Sequence, residues 1–281
     1  MAAVHLARPS ADLERIETRL LLEGIYEHYG FDFRGYAWAS LKRRLWRRVD
    51  AEGVQSLSGL QERVLHDPDA MERLLRDLSI NVTSMFRDPT FFSAFREHVV
   101  PLLKTYPFVR IWNAGCSTGE ETCSLAIILS EEGLYERSRI YATDINEGVL
   151  AHARSATYPL DRMRDYTENY IRAGGTESFS AYYEADGQNA RFDPKLLEQV
   201  VFAQHNLVSD GAFNHFNVIV CRNVMIYFGK PLQERVHELF HESLETFGVL
   251  ALGHKETMRF SAHAPCYEEL DPREKLYRKV R

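Results

Sequence analysis

The chain predicts an α/β protein, with a doubly wound, mostly parallel sheet, an all-helical N-terminal domain and a small β insertion. Three observations predict it. Apolar runs of strand length at 109–113, 139–143, 200–204, 216–221 and 248–252 are interleaved with helical periodicity near 120–131, 146–154 and 232–246, the order of a parallel sheet covered by helices. Nothing of this kind occurs before Pro107, where only helical patterning is found. Between the second and third runs, residues 181–184, an Asp186-Gly187 turn and residues 189–192 read as a hairpin.

Taken in order, residues 1 to about 10 form a loose arm, and a helix from Asp12 presents Leu13, Ile16, Leu20, Ile25 and Tyr26 as its apolar face. A second helix follows Gly35, with Leu41, Leu45 and Val49 on one side and Lys42, Arg43, Arg44, Arg47 and Arg48 around them. Two more helices run over 57–65 and, after Asp67-Pro68, from Met71 to Leu78, completing a helical domain over 1–80. Residues 81–107 are a linker and lead-in helix, with Asp88 placed to cap it and Pro89 at its first position. The α/β domain occupies 108–281, with the β insertion at about 178–200 and a closing hairpin from 266–270 and 275–280.

A net charge of -6 excludes a dedicated nucleic-acid binder, which needs a basic surface to neutralise phosphates. The four cysteines, Cys116, Cys123, Cys221 and Cys266, form no C-x-x-C pair and read as buried thiols in a reducing compartment. The N-terminal residues lack the apolar core of a signal peptide, and no run has the length of a membrane span, so a cytoplasmic protein without membrane insertion is expected.

Chemistry concentrates at the predicted strand ends. The first strand runs into Gly115 and Gly119, which let the backbone approach a ligand, and the second ends at Asp144, placed to take both hydroxyls of a ribose. The glycine spacing is not G-x-G-x-x-G, and the helix that follows opens with Glu120 and Glu121. Two carboxylates there suit the helix dipole but repel a pyrophosphate. A cationic, phosphate-free adenosine cofactor fits, and S-adenosylmethionine is one. Asn206 and Leu207 follow the third strand, and Arg222 and Asn223, with Tyr227, follow the fourth, so four loops converge on one crevice. A competing pattern, His237-Glu238-Leu239-Phe240-His241, matches the H-E-x-x-H of zinc hydrolases. It sits on an amphipathic helix with Leu232, Val236, Leu239, Phe240 and Leu244, which puts both histidines at the polar margin. No third ligand accompanies them, and no metal is expected.

The strings NVTSMFRD at 81–88, NAGCSTGEE at 113–121, ATDIN at 142–146, HNL at 205–207 and CRNVMIYF at 221–228 resemble those of the chemotaxis-receptor methyltransferases of the CheR family, over nearly the whole chain. The resemblance implies methyl transfer from S-adenosylmethionine to receptor glutamates, giving γ-methyl esters and S-adenosylhomocysteine. By motif, Asn81, Thr83 and Arg87 reach the cofactor from the linker, Ala114 and Gly115 border it, and Glu121 and Asp144 hold its amino-acid and ribose portions. Asn206 and Leu207 flank the adenine, and Arg222, Asn223 and Tyr227 complete the pocket. Arg87 and Tyr227 are implied beside the reacting methyl. The implied partners are the acidic methylation helices of chemoreceptors, met by the basic run 42–48 and the β insertion. Two departures stand out: Thr122-Cys123-Ser124 replaces an expected Pro-Tyr-Ser, and Gly253-His254-Lys255-Glu256 replaces a G-H-S-E-like string. Other readings are methylation of a different protein or small acid, and a non-catalytic sensor of the cofactor or its product.

Overall fold

The computed structural model describes residues 10–79 and 82–281. It divides into a helical unit, residues up to 79 together with Tyr227–Gln233, and an α/β unit formed by the remainder.

In the helical unit, α1 (Ala11–Tyr29) starts at Ser10, whose hydroxyl accepts from the Leu13 N–H, and stops at Gly30 in the left-handed conformation. α2 (Trp38–Glu52), α3 (Leu57–His66) and α4 (Pro68–Leu78) follow, the last capped by Asp67 with Pro68 in its first turn. The buried side of α1 is not the one its leucines suggest. Leu13, Ile16 and Leu20 are each nearly half exposed, whereas Glu14, Glu17 and Thr18 are buried with Leu21, Leu22 and Ile25. The carboxylates go inside because partners await them there. Glu14 accepts from Lys42 Nζ at 2.6 Å and Trp46 Nε1 at 2.5 Å, and Glu17 accepts from the Ser58 hydroxyl at 2.7 Å.

The same pairing alters the basic run of α2. Lys42 meets Glu14, Arg47 and Arg48 share Asp77, and Arg44 is buried with Nη1 on the Leu78 carbonyl at 3.0 Å. The run is therefore not an open cationic stripe, and only Arg43 among its five cations is exposed without an ion pair to a described residue.

The α/β unit begins with α5 (Pro89–Ala94), a π-turn at Phe95–Val99 and α6 (Val100–Leu103). The π-turn stands just before Pro101, which has no N–H to offer and crowds the carbonyl four residues back. The main elements are then β1 (Val109–Ala114), α7 (Glu120–Glu131), β2 (Ser138–Asp144), α8 (Glu147–Ser155), β3 (Thr157–Pro159), α9 (Met163–Arg172), β4 (Tyr183–Asp186), β5 (Asn189–Phe192), β6 (Val200–Gln204), β7 (Phe216–Cys221), α10 (Lys230–Ser243), β8 (Leu244–Leu252), β9 (Tyr267–Asp271) and β10 (Leu276–Lys279). Seven strands form one sheet in the order β6-β2-β1-β7-β8-β10-β9, parallel except at β10 and β9. The expected doubly wound fold is thus present. Strand order reverses between β1 and β7, which places the crevice beside the loops after those two strands.

The second sheet, β3-β5-β4, is the insertion. It has three strands, not a hairpin: Thr157–Pro159 pairs antiparallel with β5 and is too short to be read from patterning. Helix α9, also unforeseen, packs the sheet onto the core through Tyr166 and Tyr170, alongside Phe86, Phe179 and Phe192. Helix α10 ends three residues earlier than its periodicity suggests, because Leu244 already pairs with Phe216 as the first residue of β8. Among the described residues, no helix is long and apolar enough to cross a membrane.

Substitution separates the two faces of α1. Leu13→Ala or Ile16→Ala is expected to change unfolding free energy by about 0.5 kcal/mol or less, whereas Glu14→Ala costs about 1.5–3 kcal/mol, as urea denaturation will show.

Candidate functional site

The loop after β1 is tied to the end of β2. The N–H groups of Gly115 and Cys116 both donate to the Thr143 carbonyl, at 2.8 and 2.9 Å, and the Ser117 N–H donates to Asp144 Oδ2 at 3.0 Å. Asp144 Oδ1 accepts from the Asn146 N–H at 3.0 Å. Each oxygen keeps a second lone pair, so the carboxylate retains capacity for a diol. Burial pushes the Asp144 pKa up, against the pull of its amide bonds.

The two loop glycines serve different purposes. Gly115 (φ 76°) lies against Val224, whose Cγ2 occupies the space a Cβ would need. Gly119 (φ 93°) turns toward α8, where a Cβ would stand 2.8 Å from Ala153 Cβ and 3.1 Å from the Tyr158 hydroxyl. Only Gly115 faces the loop that follows β7. Gly119 is kept small by its left-handed backbone and by its packing against Ala153 and Tyr158.

The paired glutamates of α7 also diverge. Glu120 is buried toward α9, bonded to the Thr118 hydroxyl at 2.6 Å and the Tyr166 hydroxyl at 3.4 Å, and burial raises its pKa. Glu121 faces the switch point. Its Oε1 accepts from Asn113 Nδ2 at 2.8 Å and its Oε2 from Arg222 Nη1 at 2.7 Å. Thr122 holds the other end of Asn113, donating to Oδ1 at 2.7 Å, and Ser124 Oγ accepts the Phe86 N–H at 2.9 Å. The Thr122-Cys123-Ser124 departure therefore sits inside a working network.

Arg222 joins three segments. Besides Glu121 it donates from Nη2 to Asp88 Oδ2 at 2.8 Å and to the Arg87 carbonyl at 3.2 Å, and its guanidinium lies 4.0 Å from the Phe91 ring centre. Its side chain is only 1% exposed, so these bonds form in a low dielectric where each is strong and costly to lose. Asp88 is thus not the helix cap it resembles in sequence. It has φ 57° and makes no capping bond, its carboxylate being spent on Arg222.

Phe86 is left-handed too, at φ 50°. Two non-glycine residues in that region within three positions store strain that the surroundings must hold. Phe86 is fully buried and Asp88 is clamped, which leaves Arg87 projecting between them, with Nη1 on the Val82 carbonyl at 2.8 Å. Among the described residues, its guanidinium meets no carboxylate.

Among the remaining site residues predicted from sequence, Ala114 is fully buried at the end of β1, and Thr83 is half-buried in the linker. Asn206 folds its own loop, with Oδ1 accepting the Val208 N–H at 3.0 Å, and Leu207 is buried beside it. Asn223 (φ 61°) donates its N–H to Glu256 at 3.0 Å. Tyr227 belongs to the helical unit, where Arg44 lies 4.7 Å from its ring centre and the Ala37 N–H donates to its carbonyl at 2.9 Å. Asn81 lies outside the described residues. Sequence reasoning missed Asn113, Asp88 and Glu256 as site residues, although all three stand in strings it singled out.

The donor set fits a cationic cofactor. Arg222 is offset by Glu121 and Asp88, and Asp144 adds a further carboxylate at the end of the neighbouring strand, an acidic balance that favours a sulfonium and ammonium over phosphates. The zinc pattern has no such support. His237 is buried, contrary to its expected marginal place, and its pKa is pushed down to about 4 by burial. His241 is stacked on His263 at 4.4 Å, and the described residues contain no group of three or more metal-ligating side chains.

Comparison with known proteins agrees with this reading. Residues 81–269 match the family model described as CheR methyltransferase, SAM binding domain, and residues 16–79 match CheR methyltransferase, all-alpha domain. A Pseudomonas putida protein carried under the name of a methyltransferase, Cher3, is 50% identical over 94% of this chain and 97% of its own length. Chemotaxis protein methyltransferase 2 of Pseudomonas aeruginosa is 33% identical over 78% of this chain and 79% of its own.

The clamp is open to a direct test. Arg222→Met keeps the volume but leaves Glu121 without its cation, and is expected to cost about 3–5 kcal/mol by urea denaturation. Arg222→Lys, which cannot reach both carboxylates with a planar fork, is expected to recover only part of this.

Proposed function

Because this chain belongs to the CheR methyltransferase family and takes its methyl group from S-adenosylmethionine, we propose that the acceptor is a glutamate side chain of a bacterial chemoreceptor. The observation that carries this reading is Arg87. It is a cation without a carboxylate partner among the described residues, held by strained neighbours and by Arg222 on its own carbonyl. An incoming glutamate would supply the missing anion.

The acceptor chemistry asks little else of the protein. A glutamate carboxylate, with a reference pKa of about 4.3, is ionised at neutral pH and needs no general base. S-adenosylmethionine supplies an electrophilic methyl on a sulfonium sulfur. The carboxylate oxygen forms the new bond to carbon as the carbon–sulfur bond breaks, and that electron pair stays on sulfur, leaving an ester and a neutral thioether. Both charges vanish together, so a site that excludes water and fixes the line of attack lowers the barrier. Arg87 orients the acceptor, and Glu121 and Asp144 anchor the donor. Tyr227 keeps the catalytic role that the family resemblance gives it.

In the same reading, the domain over 1–80 and the insertion at about 178–200 select the receptor, and the α/β domain performs the transfer. Receptor contact through α2 falls chiefly to Arg43, and to Arg47, whose side chain is 66% exposed despite its bond to Asp77. The relative from Pseudomonas aeruginosa, named a chemotaxis protein methyltransferase, supports this choice of substrate.

With radiolabelled S-adenosylmethionine and receptor cytoplasmic fragments, the incorporated methyl is expected to be released as methanol by mild base. Base-stable label, the mark of an amine product, would overturn the ester assignment. Arg87→Ala is expected to lower turnover at saturating S-adenosylmethionine by about 100-fold or more, and near-normal turnover would remove Arg87 from the reaction.

A further inference from the structure

The loop after β7 carries Arg222 and Asn223 to the switch point, yet only a short turn at Met225–Tyr227 stabilises it from within. What holds it is a carboxylate from elsewhere in the chain. Glu256 Oε2 accepts the Gly253 N–H at 2.7 Å and the Asn223 N–H at 3.0 Å. Its Oε1 accepts the Val224 N–H at 2.9 Å and the Ile226 N–H at 3.3 Å. The side chain is buried, at 5% exposure, and a carboxylate so placed is tolerable only because amides surround it.

The arrangement explains two features that nothing else does. Asn223 adopts φ 61°, a region a non-glycine residue keeps only when its surroundings insist, and its N–H and the next are both captured by Glu256. Gly253 must lack a side chain, since a Cβ there would stand 2.7 Å from Glu256 Oε2 and 2.9 Å from the Asn223 nitrogen. In the Gly253-His254-Lys255-Glu256 string, the departing residue Lys255 is exposed, while the glycine and the glutamate face the turn.

We propose that Glu256 is a positioning residue for the cofactor site, its carboxylate acting as the template on which the 222–226 turn is shaped. The turn so held sets Val224 against Gly115 and aims Arg222 at Glu121, the two contacts that close the crevice between the β1 and β7 loops. Glu256 acts through the turn, since both of its oxygens are taken by backbone amides. The inference rests on the cofactor site assigned above.

The test compares wild type, Glu256→Gln and Glu256→Asp by calorimetric titration with S-adenosylhomocysteine and by hydrogen exchange. The glutamine keeps the volume but turns an NH2 toward backbone N–H groups. It is expected to speed exchange of the amides at 223–226 while β1 and β2 stay protected, and to weaken S-adenosylhomocysteine by about tenfold or more. Glu256→Asp, which keeps the charge one methylene short, is expected to recover part of that affinity. A purely structural glutamate would lower thermal stability but leave the affinity of the folded protein unchanged, and that result overturns the proposal, as does unaltered exchange at 223–226. If Glu256→Gln fails to fold, Gly253→Ala disturbs the same carboxylate from the other side, and wild-type affinity in that variant likewise overturns it. A wild-type protein that binds no S-adenosylhomocysteine would fail the cofactor site instead, a distinct outcome from unequal binding among variants.

Discussion

The α/β unit depends on one buried guanidinium. Arg222 stands at the end of β7, where strand order reverses, and reaches back 101 residues to Glu121 and 134 residues to Asp88. A cation in that position would be a liability if it were left alone, and it is not. Two carboxylates and a carbonyl take its two terminal nitrogens and an aromatic face covers it, while its buried Nε finds no partner among the described residues, so the linker, the opening turn of α7 and the β7 loop are tied through one group. The linker inherits its geometry from this arrangement, since Arg87 is held by its own backbone carbonyl to the same group.

Carboxylates elsewhere are handled by the same rule, with each one buried only where donors precede it. Glu14 has a lysine and an indole, Asp144 has the backbone amides of Ser117 and Asn146, Glu256 has those of 223–226 and Gly253, and Glu131 gathers Arg96, Tyr170 and Tyr182. Glu131 is one of the ties between the insertion and the core: Tyr170 lies on α9, Tyr182 lies just before β4, and both hydroxyls reach the same carboxylate at the end of α7. An outgrowth with little core of its own is thereby fastened to the sheet-bearing body.

Much of this was legible in the sequence, for a definite reason. Strands of a parallel sheet are buried on both faces, so β1 and β7 stand out as mostly apolar runs, and the residues that follow them must be the loops of the crevice. Glu121, Asp144 and Arg222 could be found in this way because they sit at strand or helix ends. The misreadings share the opposite character. Leu13, Ile16 and Leu20 make a sound helical stripe, and only the distant Lys42, Trp46 and Ser58 reverse the preference by offering Glu14 and Glu17 a place inside. Asp88 before Pro89 is a strong local cap signal overruled by a cation far along the chain. Strand β3 is three residues long, and no periodicity exists over such a span. Local pattern determined the elements, while the pairing of buried charges across long separations determined what faced what.

The buried histidine of the unused H-E-x-x-H string gives α10 a pH dependence of its own. His237 is neutral when folded, and its Nδ1 finds no partner among the described residues. Its folded pKa of about 4 lies below the ordinary value of 6.5, so the unfolded chain takes up a proton first as pH falls. The part of the stability that rests on His237 being neutral is then fully present above 6.5 and is lost between there and 4. This acid-sensitive contribution sits in α10, independently of anything the crevice does with its cofactor.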